Sequence, residues 1–197
     1  MLRNFAPLSF ALLAPGTGYA QPTQSALDRV MLDSPAVDVM TDLTRVAAVI
    51  VLAGDSVDEA HRRMIQRGVR LLVVVDQDRK VQGVITANDV MGEKPVQIAV
   101  QQGIPREEVL VRNIMTPCAN LQVLDMAQVS AAKVGHIVAT LKQIGRQHTL
   151  VVDRSERGDL RLRGIFSTTQ IVRQLGVTLQ TGDIASTFAE IEAQLSR

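Results

Sequence analysis

The same succession of signals occurs twice in this 197-residue chain. Val39-Met40-Thr41 is answered by Ile114-Met115-Thr116, 75 positions later. Arg67-Gly68 and Val73-Val74-Val75-Asp76 are answered by Ile144-Gly145 and Leu150-Val151-Val152-Asp153, an offset of 77. Gly83-Val84-Ile85-Thr86 returns as Gly164-Ile165-Phe166-Ser167, an offset of 81. The offset grows because the second hairpin is longer, and its polar residues Arg154, Ser155, Glu156, Arg157 and Gly158 form a loop that tolerates insertion. Matched element order at this period indicates duplication of one β-α-β-β-α unit. One such unit leaves a face of a short sheet bare, and two units back to back bury it.

Within the first unit, the β-branched run 46–52 reads as a strand. Ser56-Val57-Asp58-Glu59 is a capping box opening a helix with Val57, Ala60 and Met64 on one face and Gly68 at its end. Residues 70–75 read as a buried strand, Asp76-Gln77-Asp78-Arg79 as a turn, and 81–86 as the returning strand. A helix follows from Asn88, broken or restarted at Pro95, and ends near Gly103. The first 35 residues hold Pro7, Pro15, Pro22 and Pro35 with Gly16 and Gly18, and read as an arm. Its opening imitates a signal peptide, but Pro7 and Ser9 interrupt the apolar part and only Arg3 precedes it, so an extended arm is the expectation. In the tail, Thr187 and Glu190 form another capping box, and Phe188, Ile191 and Leu195 fall at helical spacing.

Composition removes several function classes. A net charge of +1 offers no attraction to nucleic acid or acidic membranes, and 3% aromatics leave little for base stacking. No run is long enough to span a membrane. His61, His136, His148 and Cys118 show no metal spacing. His61 shares a helix with Arg62, Arg63 and Arg67, a solvated face, and His136 reads as mid-helix beside Gly135. Glu107-Glu108 suit a helix start. No nucleophile–base set and no phosphate-binding glycine loop emerges.

The chemistry gathers at Gly83-Val84-Ile85-Thr86-Ala87-Asn88-Asp89. Thr86 offers a hydroxyl at a strand end. Asp89 offers two acceptor oxygens suited to a diol such as a ribose. The helix start beside them would aim free N–H groups at an anion. The plain alternative is that Thr86 and Asp89 merely cap the helix.

With Val-Met-Thr or Ile-Met-Thr at each entry, Gly-Val-Arg-Leu-Leu-Val-Val-Val-Asp at 68–76 and Gly-x-x-Thr-x-x-Asp at the exit, the chain resembles the tandem cystathionine-β-synthase (CBS) domain pair, or Bateman module, over roughly residues 36–177. The resemblance implies an α/β fold of two β-α-β-β-α repeats packed about a pseudo-twofold axis. The parts would be an N-terminal arm at 1–35, repeats at 36–103 and 104–177, and a C-terminal helical tail at 178–197. It further implies a regulatory, non-catalytic protein that needs no cofactor and takes AMP, ADP or ATP as ligand between the repeats.

Carried over residue by residue, Thr86 and Asp89 would hold the ribose and Val84 would lie against the base. Arg70 would reach phosphate, and Gln147 and His148, with Arg146 nearby, would face them from the second repeat. Ser167 can replace the threonine in the second cleft, but Gln170 stands where the acid should be, which makes that cleft the weaker one. The competing expectation is a structural or interaction module with empty clefts and an unidentified protein partner. A homodimer is expected from apolar groups on two helical faces, Val90, Met91, Val96, Ile98 and Val100 on one and Ile171, Val172 and Leu175 on the other. The unpaired Cys118 and the ligand class place the chain in the cytoplasm.

Overall fold

Each repeat builds three strands of its own sheet and takes the fourth from the other repeat. The computed structural model describes residues 29–155 and 158–177; the expected tail helix and most of the expected arm lie outside them. The strands are β1 (Thr41–Asp42), β2 (Ile50–Leu52), β3 (Leu71–Val75), β4 (Val81–Thr86), β5 (Thr116–Pro117), β6 (Val123–Asp125), β7 (His148–Arg154) and β8 (Leu160–Ser167). One sheet has the order β2-β3-β4-β5 and the other β6-β7-β8-β1. In each, a parallel pair joins an antiparallel hairpin, with Val51 opposite Val74 and Leu124 opposite Val151. The entry strands are exchanged: Gly83 pairs with Pro117, and Thr41 with Ile165.

The helices are α1 (Val57–Arg67), α2 (Ala87–Met91), α3 (Lys94–Gln102), α4 (Val111–Ile114), α5 (Met126–Ala131), α6 (Val134–Ile144) and α7 (Thr168–Leu175). Helix α1 follows its sequence signals closely. Ser56 Oγ accepts from the Glu59 N–H at 3.2 Å, Val57, Ala60 and Met64 are buried, and Gly68 ends the helix at φ 62°, where a side chain would be strained. Only half of the capping box forms, because the Glu59 carboxylate pairs with Arg62 and Arg63 instead. All five residues of β3 are buried, since successive side chains point to opposite faces. Leu72 and Val74 meet the helices of the first repeat, whereas Leu71, Val73 and Val75 pack with Val84 and Leu150 between the sheets. The central layer between the two repeats is therefore apolar, as the duplicated frame required.

The connecting segments pack across the repeats as well. Val30, Ala36, Val39 and Met40 are buried in the core of the second repeat, and Val109, Val111 and Ile114 in that of the first. This explains two departures from the sequence reading. The exit-helix residues Ile171, Val172 and Leu175 are not exposed but buried, because the chain at 30–40 lies over them, with the Val30 N–H donating to the Gln174 carbonyl at 3.2 Å. Of the other proposed face, Val90 is buried and Ile98 packs against the first core, leaving Met91, Val96 and Val100 exposed on α2 and α3.

The run 46–52 is strand only at Ile50–Leu52. Ahead of it, Asp42 folds the chain into a turn. Its carboxylate accepts from the Thr44 hydroxyl at 2.6 Å and the Thr44 N–H at 2.8 Å, and pairs with Arg163. The Thr44 hydroxyl, then Arg163, hold the Asp42 carboxyl down at about 2. The helix expected from Asn88 begins at Ala87, stops at Gly92 and restarts at Lys94, with Pro95 in the first turn where its missing N–H costs nothing. His136 is not mid-helix. It sits in the first turn of α6, where its Nδ1 accepts from the Lys133 N–H at 3.0 Å.

Candidate ligand-binding clefts

Two clefts open between the repeats, and equivalent segments build them. The first lies between the start of α2 and the start of β7, and the second between the start of α7 and the start of β3. The hydrogen bonds repeat too: the Ala87 N–H donates to the Arg70 carbonyl at 2.9 Å, and the Thr168 N–H to the Gln147 carbonyl at 2.9 Å. The clefts enclose cavities of about 190 and about 220 Å³. With similar room, what separates them is chemistry.

Of the residues singled out in the sequence, Val84, Thr86, Asp89, Gln147 and His148 meet in the first cleft. Thr86 and Asp89 do form a capping box. The Thr86 N–H and hydroxyl both donate to Asp89 Oδ2, at 2.9 and 2.7 Å, and the Asp89 N–H donates to Thr86 Oγ1 at 3.3 Å. Asp89 Oδ1 is held by the ammonium of Lys94 at 2.5 Å. The capping role and the ligand role thus fall on the same carboxylate. Since α2 is a single short turn and the Ala87 and Asp89 N–H groups are taken, its start offers less to an anion than the sequence suggested.

Arg70 lies elsewhere than expected. It lines the second cleft with Ser167 and Gln170, and reaches the first through Asn88, whose Oδ1 accepts from its guanidinium at 3.3 Å. The Gln170 Oε1 accepts from the Thr41 hydroxyl at 3.3 Å, so Ser167 has no side-chain partner of the kind Thr86 finds in Asp89. Sequence reasoning missed Arg173, which also lines this cleft. Its signal was its place three residues after Gln170, on the same helical face.

His148 borders both clefts. Burial pushes its imidazole down to about 4, and the neighbouring Arg70 charge adds to the shift. The ring is therefore neutral at pH 7. An unfolded chain would protonate it near 6.5, so between 6.5 and 4 the unfolded state binds more protons. Folding stability from this group is present above 6.5 and is lost as pH falls toward 4. A proton NMR titration of His148 is expected to show a midpoint near 4; a midpoint near 6.5 would mean that the ring is open to water. Among the described residues no cluster of His, Cys, Asp and Glu could hold a metal ion, and no helix is long and apolar enough to cross a membrane.

Residues 36–95 match the CBS domain family model. No curated protein matches the sequence. Among solved structures, the chain is similar to an uncharacterised conserved protein from Pyrococcus horikoshii, at 24% identity and TM-score 0.54, covering 78% of this chain and 100% of that one. It is similar also to a CBS-domain-containing protein from Agrobacterium tumefaciens, at 23% identity and TM-score 0.53, covering 73% and 94%. A third is CBSX2 in complex with AMP, at 22% identity and TM-score 0.50, covering 71% and 94%. The family match falls on the first repeat, and the second sheet reproduces the strand order of the first. Residues 36–95 are thus similar to a CBS domain, and the two-repeat fold of the chain is similar to that of solved CBS-domain proteins.

Proposed function

We propose that the chain is a regulatory module that binds an adenine nucleotide, AMP, ADP or ATP, in the first cleft and responds by a change of conformation or association. The observation that carries this reading is a cleft that combines apolar residues with a carboxylate. Leu71, Val84, Leu121 and Leu150, suited to a base, line it together with Thr86 and Asp89. The complex of CBSX2 with AMP, a protein of the same fold, supports the ligand class. A carboxylate has about four acceptor positions, and three are filled here, two by Thr86 and one by Lys94. A ribose diol therefore competes with Lys94, whose half-exposed ammonium can turn to water or to a phosphate. First-repeat residues supply Asp89 and second-repeat residues Arg146 and Gln147, so a ligand spanning them favours one arrangement of the repeats. Such a preference is the condition for any shift.

Calorimetric titration of the full chain with AMP, ADP, ATP and S-adenosylmethionine tests the reading. Heat and a thermal upshift are expected with at least one adenine nucleotide. Silence with all of them, and no thermal shift, would leave the interaction module with empty clefts as the better account.

The same reading includes a homodimer and a cytoplasmic location. The latter rests on the ligand class and on Cys118, which is exposed and unpaired. The dimer rests on one face rather than two: Met91, Val96 and Val100 line a shallow apolar hollow on α2 and α3. Light scattering at micromolar concentration is expected to give twice the 21.4 kDa chain mass. The mass of a single chain would count against pairing.

A further inference from the structure

The second cleft carries a charge that the first does not. Arg70 enters it from the start of β3 and Arg173 from the second turn of α7, and among the described residues no carboxylate lines it. Neither guanidinium has an acidic partner among the described residues, whereas Arg63, Arg106, Arg163, Lys94 and Lys133 each pair with one. Two cations lining one cleft with no acid beside them draw an anion.

The neutral groups point the same way. Ser167 and Thr169 add hydroxyls to the lining. The one amide oxygen that could have accepted from a ribose, Gln170 Oε1, already accepts from Thr41. Among the described residues the lining thus offers two cations and no charged acceptor. That suits phosphate oxygens better than a ribose diol, for which a carboxylate is the stronger acceptor. Guanidinium groups bind phosphate through paired N–H bonds. We propose that the second cleft is a separate site for a compact phosphate anion carrying two or more charges and no nucleoside, of which inorganic diphosphate is the simplest.

This goes beyond the nucleotide reading of the first cleft and does not depend on it. The test is calorimetry of the full chain with inorganic diphosphate and, in a separate titration, with AMP. Diphosphate should bind at one site per chain. Arg173→Gln and Arg70→Gln should each weaken it about ten-fold or more. Asp89→Ala, in the other cleft, should leave diphosphate binding unchanged. So should Arg67→Gln, which removes an exposed charge at the end of α1, outside both clefts. Circular dichroism establishes that each variant is folded. AMP heats, read separately, report on the first cleft alone, so failure there leaves the diphosphate result intact. The proposal is overturned by no heat at millimolar diphosphate, or by an Arg67→Gln loss as large as that of Arg173→Gln. It is equally overturned if diphosphate binding is lost with Asp89→Ala and kept with Arg173→Gln.

Discussion

Asp89→Ala is expected to weaken adenine-nucleotide binding by about ten- to a hundred-fold, and Gln170→Ala to leave it nearly unchanged. The reason is chemical. Asp89 presents a charged acceptor at the wall of the first cleft, and charge-assisted hydrogen bonds are about twice as strong as neutral ones. At the equivalent position Gln170 has one neutral acceptor oxygen, which already accepts from the Thr41 hydroxyl. The alanine variant also loses the bonds that Asp89 accepts from Thr86, and a lost helix cap costs about 1 kcal/mol. Asp89→Asn separates the two effects. Its remaining oxygen can still accept from the Thr86 N–H while the charge is gone. Binding that falls in the asparagine variant with melting nearly intact assigns the loss to the ligand. Equal losses for Asp89→Ala and Gln170→Ala, or two equal nucleotide sites per chain in the wild type, would sink the idea.

Gly83→Ala should destabilise the fold by about 1–3 kcal/mol, toward the upper end, and Gly164→Ala by clearly less. The two glycines are equivalent in the repeat and both face an exchanged strand, Gly83 opposite Pro117 and Gly164 opposite Asp42. A Cβ on Gly83 would run into the carbonyl oxygen of Thr116 and lie 3.0 Å from the Pro117 Cα. Those are backbone atoms of β5, which cannot move without opening the sheet edge. A Cβ on Gly164 would meet the Met40 side chain instead, and methionine has rotamers to spare. Urea denaturation of both variants measures the difference. Equal losses would mean that the edge strand yields as easily as a side chain.

The parts of the fold that were legible in the sequence were those with a local cause. The Ser56 cap, the Gly68 and Gly103 stops and the unbroken apolar run of β3 each follow from a few neighbouring residues. The exchange of β1 and β5 was not legible. Each is two residues long, too short to show a period, and its partner lies far along the chain. The over-long strand at 46–52 has a similar cause: its apolar pattern was real, but Asp42 and Arg163 turn the chain before it, and Arg163 is 121 residues away. For the first cleft, five of the six singled-out residues line it, because they lie at strand ends that the repeat superimposes. Arg70 was misplaced because its position in the duplicated frame matches Gln147, which belongs to the opposite cleft. Lys94 was missed as the partner of Asp89 because it sits beyond the break at Gly92, which no helical period predicts.

The exchanged strands also set an order of assembly. The first sheet closes when Thr116–Pro117 reaches Val84 and Gly83, a span of about 34 residues. The second closes only when Ile165 and Gly164 reach Thr41–Asp42, across about 124 residues. Loop-closure entropy alone separates these steps by about 1 kcal/mol. On the ribosome the separation is larger, because the partner of Thr41 does not yet exist when the first sheet is complete. The emerging chain therefore carries β1, with Val39 and Met40 beside it, as an unsatisfied edge until nearly all of the second repeat has been synthesised. During that interval the early segment is open to pairing with the β8 of another chain, and slow translation of the second repeat would lengthen its exposure.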